Sequence, residues 1–129
     1  MKIIYLFIDG VGLRKPAADN PVNKEVCPTL WRLIERHSKP IDACLGVEGL
    51  PQSATEQATM FTGVNCSAAL GKHCEGFPSA DLRKIIEDNN LFLELRKRNK
   101  RIRFADAYLV DDVGEIAARR FKSVTTVMA

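Results

Sequence analysis

Six apolar residues in a row, Ile3-Ile4-Tyr5-Leu6-Phe7-Ile8, end at an acid, Asp9, which opens into Gly10-Val11-Gly12. No polar position interrupts the run, so it has no wet face, and a fold built on it must cover it on both sides. The pattern predicts a buried strand of a parallel sheet from Lys2 to Ile8. Asp9 then falls at the carboxyl end of that strand, where ligands collect in α/β sheets. Six residues are too few for a secretory core or a membrane span.

Downstream, the pattern alternates between helix and strand. Leu30, Leu33, Ile34 and His37 lie at i, i+3, i+4 and i+7, which predicts an amphipathic helix started near Pro28 and stopped by Pro40. Ile41 to Val47 is expected as a second strand, and Ala54 to Phe61 as a helix ended by Gly63. Residues 65–78 are expected to be loop. Leu82, Ile85 and Ile86 mark another helix, interrupted near Asp88-Asn89-Asn90, and Leu91, Phe92 and Leu95 a further one. Ile102 to Val110 predicts a third strand and Asp111 to Phe121 a helix. Ser123-Val124-Thr125-Thr126-Val127-Met128 has strand composition. Such alternation favours an α/β architecture with a largely parallel sheet.

With 129 residues, 46% hydrophobic and 27% charged, the chain fits one globular domain or part of a larger one. Cys27, Cys44, Cys66 and Cys74 form no CxxC pair, which with the missing leader points to free thiols and a cytoplasmic location. A net charge of +3 does not by itself imply nucleic acid. The excess is local, however, with Arg96, Lys97, Arg98, Lys100, Arg101 and Arg103 close together. Such a run suits phosphate contacts, but aromatic residues hardly interleave with it, so a solvated helix end is favoured over a weak nucleic-acid binder.

Two residues suggest chemistry. Asp9 either accepts hydrogen bonds from its own turn or serves a site at the sheet's edge, and both readings stay open. Ser53 stands where a helix N-terminus would favour a phosphate, and a metal could activate its hydroxyl as a nucleophile. Against this, Ser53-Ala54-Thr55-Glu56 spells an S-x-x-E capping box, and capping is the stronger local reading. His73 has no second ligand at metal spacing, His37 falls on the apolar stripe of its helix, and Asp111 and Asp112 are better placed to cap the next helix than to bind a metal.

Phe7-Ile8-Asp9-Gly10-Val11-Gly12, Asn20-Pro21, Leu50-Pro51-Gln52-Ser53-Ala54-Thr55, Gln57-Ala58-Thr59 and Phe61-Thr62-Gly63-Val64-Asn65 together resemble the alkaline phosphatase superfamily. The likeness is to the branch near the cofactor-independent phosphoglycerate mutases and phosphopentomutases. Leu70-Gly71-Lys72-His73, Gly76-Phe77-Pro78 and Phe104-Ala105-Asp106-Ala107-Tyr108 extend it along most of the chain. The resemblance implies a partial three-layer sandwich, the N-terminal half of an alkaline phosphatase-like domain spanning 1–129. It also implies a two-metal Zn²⁺ or Mn²⁺ site with Asp9 as ligand, Ser53 as metal-bound nucleophile and Asn20 as a substrate contact. The substrate would be a phosphorylated small molecule.

Two departures qualify that expectation. Glu56 replaces the family's glycine and would oppose a phosphate dianion at the helix start, so it is read as a modulating residue. The remaining ligands, two aspartates and three histidines in the usual pattern, have no counterpart here. The expectation is therefore a truncated form, inactive alone, that pairs with a C-terminal half or with itself. A non-catalytic interaction module is the alternative. Neither a membrane nor nucleic acid is the favoured partner.

Overall fold

The computed structural model describes residues 2–15, 17–105 and 110–128, which form two compact units, 1–41 and 42–129. Every regular element among the described residues is a helix; none is a strand. This overturns the expected α/β sandwich with its parallel sheet.

In the first unit the apolar run forms no regular element. Ile3, Ile4, Leu6 and Ile8 are exposed by 74%, 94%, 78% and 50%, so the predicted burial on two faces does not occur. The backbone turns at Asp9-Gly10, where Gly10 takes φ +73°, a left-handed angle that favours glycine. Helix α1, Pro28–His37, begins with Pro at its first turn, as expected. Its apolar stripe gains little cover, because none of its residues is fully buried and Leu33 remains 50% exposed.

The second unit carries the core. Helix α2, Ser53–Thr62, buries Ala54, Thr55, Ala58 and Phe61 along one face and stops at Gly63, which caps it in the left-handed conformation. Helix α3, Cys66–Leu70, lies inside the segment expected to be loop. Its signals are short but real: the Asn65 side chain accepts from the Ala68 N–H at 3.0 Å, and Gly71 ends the turn. Helix α4, Ala80–Asp88, is capped by Ser79 and buries Leu82 and Ile86. Helix α5, Leu91–Lys97, starts at Asn90.

Helix α6, Val113–Ala118, is capped by Asp112 with Glu115 reaching back, a complete capping box. The last segment, expected as a strand, is instead helix α7, Val124–Met128. Ser123 starts it by accepting from the Thr126 N–H at 3.2 Å. One helical turn then aligns Val124 with Met128, both buried against α4 and α2. Burial of two large side chains outweighs the weak strand preference of Val and Thr. Asn90 ties the end of this helix down, donating from Nδ2 to the Met128 carbonyl at 3.0 Å.

The other two expected strands are also absent. Residues 43–46 form turns, and the described parts of 102–110 are irregular, with 106–109 lying outside the described residues. A parallel strand gains stability only beside its neighbours, and no neighbouring strand is described.

Candidate functional site

The residues gathered around the start of α2 form a connected polar cluster in the second unit. Gln52, extended at φ −129° and ψ 142°, is the residue before the helix, and Ser53 is its first helical position. The expected capping box on Ser53 is therefore not formed: the helix begins one residue earlier, and its N-cap side chain makes no capping bond.

The cap comes from elsewhere in the chain. The Cys74 carbonyl accepts from the Ala54 N–H at 3.1 Å and from the Thr55 N–H at 3.4 Å. Thr55, fully buried, locks that peptide: its Oγ1 donates to the Gln52 carbonyl at 3.1 Å and accepts from the Cys74 N–H at 3.3 Å. A main-chain carbonyl thus occupies the N–H groups that the sequence offered to a phosphate. The Ser53 hydroxyl, half-buried, has no hydrogen-bond partner among the described residues.

Glu56, half-buried, closes the first turn through its N–H to the Gln52 carbonyl at 3.2 Å. Its charge reaches the 42–49 loop, where the Cys44 thiol is held above its ordinary pKa. Desolvation is the largest cause, followed by the charge and hydrogen bond of Asp42, then by the charge of Glu56. The shift disfavours the Cys44 thiolate. All four cysteines are free.

His73 joins two segments. Its Nε2 lies 3.2 Å from the Val47 carbonyl oxygen, which only accepts, so the proton sits on Nε2. In the neutral ring Nδ1 then accepts from the Ser67 hydroxyl at 3.2 Å. The pair resembles a nucleophile and its base, but Ser67 has no exposed surface and no substrate reaches its Oγ. It is a clasp between α3 and the 42–49 loop.

No family model, curated protein or solved structure matches the chain.

The other candidate residues are placed as follows. Asp9 is exposed in the first unit and accepts from the Gly10 N–H at 2.9 Å, the local turn contact that a glycine after an acid allows. Asn20, 5% exposed, spends its Oδ1 on the Val22 N–H at 3.0 Å and its carbonyl on Asn23 at 2.7 Å, so it closes a turn. Ser53 belongs to the second unit. His37 is exposed in the last turn of α1. Asp112 caps α6, with its Oδ1 accepting from Gly114 at 2.6 Å.

Among the described residues no three His, Cys, Asp or Glu side chains gather as a metal would require. The described residues therefore do not assemble the ligands of a two-metal cage. Among them, also, no helix is long and apolar enough to cross a membrane. Thr55 and Ser67 escaped the sequence reading because their partners, Cys74 and His73, lie beyond local range. The spacing Thr55-x-x-x-Thr59 was the available signal, since each Thr hydroxyl donates back into α2 at three or four residues.

Proposed function

We propose that the chain is one contributor to an alkaline phosphatase-like phosphoryl-transfer enzyme, active only together with polypeptide that supplies the remaining metal ligands. The supporting observation is the Ser53 hydroxyl. Capping was the competing role for that residue, yet its hydroxyl stands in the first turn of α2 without a hydrogen-bond partner among the described residues. A hydroxyl with no structural duty at a helix start is what a nucleophile requires.

The exposed run from Ile3 to Ile8 fits the same reading. So much apolar surface is stable in water only when something covers it, and the completing polypeptide is its proposed cover. One rearrangement is demanded. A phosphate could approach the α2 N-terminus only if the Cys74 carbonyl withdrew from the N–H groups of Ala54 and Thr55.

The test is reconstitution. The chain is mixed with the separately expressed C-terminal half of an alkaline phosphatase-like metalloenzyme, and p-nitrophenyl phosphate hydrolysis is followed with Mn²⁺ or Zn²⁺. The reading expects activity that neither part shows alone and that disappears in Ser53→Ala. An inert mixture, or activity unaffected by Ser53→Ala, refutes it.

A further inference from the structure

Phe77 and Phe121 are remote in sequence but meet on the surface of the second unit, ring centroids 5.6 Å apart and planes inclined by 35°. Phe77 immediately precedes the capping segment of α4, and Phe121 lies in the turn between α6 and α7. Both stay in water, exposed by 54% and 59%. Two touching aromatic rings left this open form a platform that a flat apolar partner would cover.

The surroundings are cationic. The Arg120 guanidinium stands 5.3 Å from the Phe121 ring centroid, within range of a cation–π contact. Arg119 and Lys122 flank it in the same segment. Arg83 reaches from α4 to the Pro78 carbonyl at 3.4 Å, next to Phe77. Among the described residues none of these four cations is held in a salt bridge.

We infer that this patch binds single-stranded nucleic acid, bases stacking on Phe77 and Phe121 and phosphates lying against Arg83, Arg119, Arg120 and Lys122. Ring faces accept any base, and cations outside salt bridges neutralise the backbone without reading sequence. The aromatic component that the basic run 96–103 lacked is thus supplied elsewhere in the same compact unit. Lys97 is engaged by Glu94 at 2.6 Å, while Arg96, Arg98, Lys100 and Arg101 are exposed and make no salt bridge among the described residues. Phe92 and Phe104, with centroids 5.8 Å apart, fold the segment after α5 back onto that helix. An anionic membrane is the less suitable partner, because the apolar component is two rings and not the long amphipathic face that interfacial binding uses.

The experiment is fluorescence anisotropy of the full chain with a labelled oligouridylate, repeated across a salt series. Binding should weaken with salt at a log–log slope of about −0.7 per phosphate neutralised. The double variant Phe77→Ala/Phe121→Ala should lose about tenfold or more in affinity with the slope retained. Arg119→Gln/Arg120→Gln should flatten the slope, Phe121→Tyr should bind like the parent, and a duplex with no unpaired bases should bind more weakly than the single strand. Circular dichroism confirms that each variant keeps its helices. The inference is overturned by a flat salt response, by unchanged affinity in the folded double phenylalanine variant, or by tighter binding to phosphatidylserine vesicles than to the oligonucleotide.

Discussion

Thr55 and Cys74 hold each other by two reciprocal hydrogen bonds: the Thr55 Oγ1 accepts from the Cys74 N–H at 3.3 Å, and the Cys74 carbonyl accepts from the Thr55 N–H at 3.4 Å. This pair fixes the start of α2 and the segment that follows α3 as one piece. Thr55→Val keeps the shape but removes the hydroxyl, leaving the half-buried Cys74 N–H without its partner. A loss of about 1–3 kcal/mol is expected. Urea denaturation measures it, and an unchanged midpoint would show that the hydroxyl carries no weight.

His73 offers a second check on the same region. Replacing it with Leu deletes both the Val47 and Ser67 contacts, one of them to a fully buried hydroxyl. Amide hydrogen exchange should quicken across residues 44–49, where the loop loses its clasp, while the amides of α4 change little. His73→Gln retains a donor and an acceptor and should give an intermediate result. Uniform acceleration through α4 would mean that the clasp supports the whole core and not one loop.

What was legible in the sequence was local. Gly63 ends α2 because its left-handed conformation is intrinsic to glycine, and Leu82 with Ile86 marks α4 because helical spacing alone aligns them. The readings that failed depended on distant partners. Ser123 to Met128 has strand composition, yet Val124 and Met128 find a buried berth beside α4 only as a helix. The S-x-x-E capping box at Ser53 was displaced by the Cys74 carbonyl, which no local rule anticipates. The Lys2–Ile8 run read as a buried strand because hydropathy reports a need for cover but not whether a cover is present. The meeting of Phe77 with Phe121 left no trace in either segment.

The same exposed run predicts self-association. Ile4, 94% exposed, supports nothing in the core of its unit. Ile4→Lys should therefore shift stability by less than about 0.5 kcal/mol, the usual range for open surface positions. It should also lower the association state or the aggregation rate, because a charge in the run opposes apolar contact between copies. Sedimentation velocity at several concentrations reads the outcome. Equal association by parent and variant would place the sticky surface elsewhere.

Cys44 gives the pH test. Desolvation, Asp42 and Glu56 all disfavour the thiolate, so the thiol ionises above its ordinary pKa in the folded chain. Between the unfolded and folded pKa values the unfolded chain sheds its proton first. The contribution of Cys44 to stability is thus fully present below the unfolded value and is lost as pH rises through the folded one. Iodoacetamide labelling of Cys44, followed by mass spectrometry against pH, should show a half-maximal rate displaced upward from that of a free cysteine peptide. Asp42→Asn removes a neighbouring charge and should draw the profile back toward the peptide's, with Glu56→Gln doing so by less. The residual displacement in the double variant reports desolvation together with any hydrogen bond that the introduced asparagine keeps. Glu56→Gln matters most for the candidate site: a profile that ignores it would show that the Glu56 carboxylate lies too far from the 42–49 loop to influence it, and the electrostatic link between that loop and the start of α2 would fall.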